Sequence, residues 1–140
     1  MRDIIPEVLW IGNAFDGRNV KAVMDSGIQA VVHLAIEEPP VQLPREVVSC
    51  RFPLLDGEGN SAVLMQAVID LIVSFVKEHI PTLVVCSGGM SRSPLIASAV
   101  VAKVEAIDFD DAIRCVTDSG PCDFSAKLYV EVKQLICQNK

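Results

Sequence analysis

Apolar positions along this chain switch repeatedly between two rhythms: short unbroken runs, and spacings of three and four. Val8-Leu9-Trp10-Ile11, closed by Gly12-Asn13, reads as a strand entering a turn. Asp16 is a candidate cap for a helix over 17–26, on which Val20, Val23 and Met24 share a face and Gly27 takes the C′ position. The run 30–35 is apolar and rich in valine, the pattern of a central strand buried on both faces. After the loop Glu37-Glu38-Pro39-Pro40 a further strand is predicted over 49–54. The glycine-rich loop Asp56-Gly57-Glu58-Gly59-Asn60 follows, then Ser61 as the cap of a long helix reaching His79, closed by Pro81. The run 82–85 is a second buried-type strand, leading directly into Cys86. Helical spacing resumes from Ser91 to about Ala106, and again over 110–117 and 125–137. Strands alternating with helices imply a layered α/β domain.

The chemistry concentrates where the 82–85 strand ends. In open α/β sheets ligands bind at the carboxyl ends of the strands, which is where this strand delivers Cys86. Gly88-Gly89 allows a tight curl that aims successive backbone N–H groups inward. A helix starting near Ser91 adds its unpaired amides and the positive end of its dipole. Ser87, Gly88, Gly89, Met90, Ser91 and Arg92 together make a cradle for a tetrahedral anion. The Arg92 guanidinium can hold two phosphate oxygens in a planar grip that lysine cannot reproduce. An arginine in a helix's first turn opposes the dipole, so Arg92 calls for an anionic partner. The same donors favour thiolate over thiol at Cys86, and a thiolate beneath a clamped phosphorus is set up for in-line attack. A carboxylate must then serve as acid and base, and residue chemistry alone leaves Asp56, Glu58 and Asp123 open.

Cys86-x5-Arg92-Ser93, with Gly89 three residues after the cysteine, resembles the signature loop of the protein tyrosine phosphatase superfamily, and most of all its dual-specificity branch. Leu9-Trp10-Ile11-Gly12, Gly27-Ile28-Gln29-Ala30-Val31-Val32 and Phe52-Pro53-Leu54-Leu55-Asp56 are similar to that branch in order and spacing, so the likeness spans nearly the whole chain. The resemblance implies one catalytic domain over residues 1–140, with a central mostly parallel sheet flanked by helices. It also implies hydrolysis of phosphotyrosine, and of phosphoserine or phosphothreonine, through a cysteinyl-phosphate. Cys86 would be the nucleophile, Arg92 the phosphate clamp and Asp56 the general acid. Ser93 would donate its hydroxyl towards the sulfur. Neither cofactor nor metal is implied, and the partner is a phosphorylated protein or a small phosphomonoester. One position departs from the pattern: the family usually has a histidine before the nucleophile, and Val85 stands there. That departure motivates an alternative, a phosphate-binding module of little or no turnover.

Composition narrows the function classes. With 51% hydrophobic and 21% charged residues in 140, the chain has the makings of a packed core rather than a disordered tail. A formal net charge of −6 disfavours nucleic-acid duplexes, so phosphate affinity has to be local. The longest apolar stretch, 62–80, is interrupted by Gln66, Asp70, Lys77, Glu78 and His79, which argues against a membrane span. Five cysteines without a CxxC pair, and only two histidines, point to free thiols in a reducing compartment, here the cytoplasm, rather than to zinc or disulfides. His33 reads as a core histidine, His79 as an exposed helix-end residue, and Trp10 as core.

Overall fold

The computed structural model describes residues 1–138. Strands β1 (Arg2–Ile5), β2 (Leu9–Gly12), β3 (Ala30–Ala35), β4 (Val48–Leu54) and β5 (Thr82–Val85) form one sheet in the order β1-β2-β5-β3-β4. Only the β1–β2 pair is antiparallel; β5 lies parallel to both β2 and β3, and β3 parallel to β4. The sheet is thus mostly parallel, as the alternation of elements implies.

Among the described residues six helices cover it: α1 (Ala14–Arg18), α2 (Val20–Asp25), α3 (Ala62–Lys77), α4 (Arg92–Glu105), α5 (Phe109–Asp118) and α6 (Ala126–Gln138). Alternation along the strands sends side chains to two cores. Leu9, Ile11, Val32, Leu34 and Val84 join the larger one, together with the buried faces of α3 to α6. Val31, Leu83 and Val85 join the smaller one, with Val23 of α2, Ile28, Val47 and partly buried Trp10. On α3 the buried residues Met65, Val68, Ile69, Ile72 and Val76 keep the three-and-four rhythm of a half-buried helix. The α4 residues Arg92 to Ala102 are all buried, because other helices pack around it while the sheet lies beneath.

Two local expectations are corrected. The single helix over 17–26 is two short helices joined at Asn19, which ends α1 and whose side chain accepts the Ala22 N–H to start α2. Asp16 is not the cap: Asn13 is, and Asp16 answers from the third helical position by accepting the Asn13 N–H. Strand β1 had no sequence expectation, since Pro6 leaves it only Ile4 and Ile5 as apolar signal; pairing with β2 makes it a strand.

The topology does one thing for function. Because β2, β5, β3 and β4 run parallel, their carboxyl ends share one edge of the sheet. Gly12, Cys86, Glu37 and Asp56 follow or close those strands, and all four meet at that edge.

Candidate active site

Residues 86–91 form a loop between the central strand β5 and the central helix α4. Cys86 is 3% exposed, and its N–H donates to the Gly12 carbonyl at the end of β2, at 3.3 Å. Gly89 sits at φ +71°, and a Cβ there would come within 2.8 Å of the Gly12 backbone, so the curl needs glycine. Gly88 differs: nothing lies within 4 Å of a Cβ built on it. Of the glycine pair, only Gly89 is demanded by the turn.

The N–H groups of Ser87 through Arg92 find no acceptor among the described residues, while the Ser93 N–H points to Cys86 Sγ at 3.5 Å. The Ser93 hydroxyl lies against the Gly12 carbonyl at 3.4 Å, so here the amide of Ser93, not its hydroxyl, contacts the sulfur. Cys86, Gly88, Met90, Ser91 and Arg92 line a cleft of about 170 Å³, together with Asp56 and Asp123.

Arg92 is 3% exposed and held from one end. Its Nη1 and Nη2 each donate to the Glu37 carboxylate at 2.6 Å, and Nη1 donates also to the Leu54 carbonyl at 3.0 Å. A guanidinium has five N–H bonds. Glu37 and Leu54 take both on Nη1 and one on Nη2, which leaves Nε–H and the second Nη2–H, the pair along one side of the fork. Nε is buried without a partner, the only such side-chain atom among the described residues. That free side is the geometry for a bidentate oxyanion.

The charges are mutually reinforcing. Burial works against the Arg92 charge, but the hydrogen bond and charge of Glu37, then Cys86 and Asp56, hold it above its ordinary value. Glu37 is lowered to about 2, chiefly by its hydrogen bond from Arg92. Ser87 Oγ lies 3.0 Å from Glu37 and 2.8 Å from Glu38, tying the loop after β3 to the loop after β5. Glu37 is the anionic partner that the helix dipole required of Arg92. Its identity was not legible, although a carboxylate at the end of a buried strand is the signal that could have found it.

Of the three carboxylates left open by residue chemistry, Asp56 and Asp123 line the cleft with Cys86, whereas Glu58 pairs with Lys127 at 3.0 Å. Asp56 Oδ1 accepts the Ser91 hydroxyl at 2.7 Å. Its loop is laced together rather than loose: Asn60 accepts the Leu55 N–H at 2.7 Å and donates to the Leu55 and Gly57 carbonyls, and Glu131 of α6 accepts the Gly59 N–H at 2.8 Å. Val85 is 2% exposed in the smaller core, pointing away from the cleft side of the sheet. Beside it on β3, His33 is kept below its ordinary pKa by burial and then by Arg51 and Arg18, and contacts Ser49 Oγ at 3.3 Å.

The other cysteines are free, and burial pushes the Cys50 and Cys122 thiols up. Among the described residues no cluster of three or more His, Cys, Asp or Glu side chains could hold a metal, and no helix is long and apolar enough to cross a membrane.

No protein-family model matches the sequence, and no curated protein matches it. Solved structures do match, over nearly the whole chain. Human DUSP28 superposes with a TM-score of 0.87 at 17% identity, covering 99% of this chain and 97% of that one. A mouse protein assigned as a dual specificity phosphatase, complexed with zinc tungstate, gives 0.86 at 20% identity, with 98% and 86% covered. The human tyrosine phosphatase-like serine/threonine/tyrosine-interacting protein gives 0.83 at 16% identity, with 99% and 97% covered. The chain therefore has the fold shared by these phosphatase and phosphatase-like structures, and the resemblance read from its signature loop extends to the whole architecture.

Proposed function

We propose that residues 1–140 form a dual-specificity phosphatase-like catalytic domain that hydrolyses phosphomonoesters, phosphotyrosine foremost and phosphoserine or phosphothreonine beside it. One observation carries the reading: Cys86, the cation Arg92 with a free N–H side, and the carboxylate Asp56 line a single cleft. A binding module needs the cradle but has no use for a sulfur at its base or a carboxylate at its mouth, so turnover is favoured over recognition alone.

The steps follow from the geometry. Amides of Ser87 to Arg92 and the Nε side of Arg92 take the phosphoryl oxygens, which gather charge as the transition state forms. Cys86 Sγ attacks phosphorus, and the bond to the ester oxygen breaks as Asp56 gives that oxygen its proton. The Asp56 carboxylate then takes a proton from water, whose oxygen attacks the cysteinyl-phosphate. The P–S bond breaks and the electron pair returns to sulfur, where the Ser93 N–H receives it. Inorganic phosphate leaves and no cofactor is consumed.

Turnover of p-nitrophenyl phosphate and of a phosphotyrosine peptide tests the reading. Expected is release of phosphate that Cys86→Ser abolishes, while tungstate, a tetrahedral oxyanion like phosphate, still raises the Tm of the variant. Tungstate binding without turnover by the unmodified chain would convert the proposal into the recognition module.

A further inference from the structure

Ser91 directly precedes α4, where a serine ordinarily turns its hydroxyl back to accept an amide of the first helical turn. It makes no such cap bond. Instead Ser91 Oγ accepts the Ser125 N–H at 2.9 Å and lies 2.7 Å from Asp56 Oδ1. The second contact runs from Ser91 to Asp56: a serine hydroxyl has one proton, and Oδ1 is its one acceptor among the described residues. At 7% exposure, Ser91 has little access to competing water. Ser125 is itself fixed, its hydroxyl accepting the Leu128 N–H of α6 at 3.3 Å. A line of contacts thus runs from α6 through Ser125 and Ser91 to one oxygen of Asp56.

Resting on the reading of Asp56 as general acid, we infer that Ser91 is a positioning residue that reserves Oδ1 as an acceptor, so that the proton given to the leaving group is carried on Oδ2. A proton on Oδ1 would take from the buried Ser91 hydroxyl its one acceptor among the described residues and leave its proton unpaired. Oδ2 has no partner among the described residues and is the oxygen left for an ester. Exposed Asp56 has one side-chain anchor, and that anchor also selects which of its oxygens is the acid.

The test compares the unmodified chain with Ser91→Ala, Ser91→Thr, Asp56→Asn and the Ser91→Ala/Asp56→Asn double variant, on aryl phosphates graded from p-nitrophenol to phenol as leaving group. Expected for Ser91→Ala is a fall in kcat of roughly tenfold on phenyl phosphate and much less on p-nitrophenyl phosphate, since only poor leaving groups need the acid. Tungstate affinity stays within about threefold, Ser91→Thr restores the hydroxyl and the rate, and the double variant is as slow as Asp56→Asn alone. A uniform loss across leaving groups, a loss of tungstate affinity, unchanged kinetics, or a further loss on top of Asp56→Asn each overturns the inference. Ser91→Val, isosteric with the threonine variant, takes the place of alanine if alanine leaves the loop unfolded. Failure of the underlying reading looks different: the unmodified chain would turn over no ester, or Asp56→Asn would show no dependence on leaving group.

Discussion

Helices α3 and α4 are both preceded by a serine, and the two serines are used in opposite ways. Ser61 Oγ accepts the Leu64 N–H at 3.2 Å, an ordinary cap that satisfies one of the amides a helix start leaves over. Ser91 declines that role: the Arg92 N–H stays open, the Ser93 N–H reaches the Cys86 sulfur, and Pro94 has no N–H to cap. The surroundings differ in the same sense. The first turn of α3 is mostly exposed, whereas α4 is buried from Arg92 to Ala102. Buried amides without acceptors are costly, and a cation in the first turn opposes the dipole as well. Glu37 and the cysteine sulfur supply local negative character that offsets part of this. A capped start completes a structural element; an uncapped buried start holds donors ready for an anion.

The sharpest way to break the comparison is to remove the planar cation that only α4 carries. Arg92→Lys keeps the charge but cannot hold Glu37 end-on while offering a side-on pair to phosphate. Expected is a loss of roughly 10²–10³-fold in kcat/KM for p-nitrophenyl phosphate. A variant within threefold of the unmodified chain would mean that a point charge suffices, and that the free Nε side has no part in catalysis.

Glu37→Gln is the next largest, because it removes the carboxylate that orients the fork without touching the oxyanion side. Loss of a charge-assisted hydrogen bond predicts a fall of about tenfold in kcat/KM. The sign of its pH effect is fixed. Glu37 is lowered to about 2 in the folded chain against an ordinary 4.5, so below about pH 4.5 the unfolded chain binds the extra proton. Its stabilisation is present above that pH and drains away as pH falls towards 2. Urea melts from pH 6 to pH 3 check this: the gap between the unmodified chain and Glu37→Gln should narrow on acidification, and a gap that widens would place the ion pair elsewhere.

What the sequence made legible, and what it hid, divides by distance along the chain. The Cys86–Ser93 loop could be read because its strand, turn and helix start are consecutive and each residue type has a local physical reason. Strand β3 could be read to its limits because a buried valine-rich run between Gly27 and Glu37 admits one description. Glu37 as the partner of Arg92 could not be, since the two are 55 residues apart and meet only because β3 lies beside β5. Ser91 could be read as the start of a helix and part of the cradle, but not as an acceptor for Ser125, which lies 34 residues on. The break between α1 and α2 was hidden by Asn19, a polar residue no different in sequence from any other on an exposed helix face.

The smallest expected effect sharpens the comparison from its structural side. Ser61→Ala removes a cap from an exposed helix start and should lower stability by about 1 kcal/mol, as cap deletions generally do. Activity should not follow, because Ser61 does not line the Cys86 cleft. Ser91→Ala lowers stability as well, because the Ser125 N–H loses its acceptor, but only this variant also carries a deficit in the rate on poor leaving groups. Urea melts and leaving-group series on the two variants should therefore separate them, one moving stability alone and the other stability and rate together. If Ser61→Ala slowed turnover as much as Ser91→Ala did, the two helix starts would be equivalent after all, and the uncapped start of α4 would have no special standing.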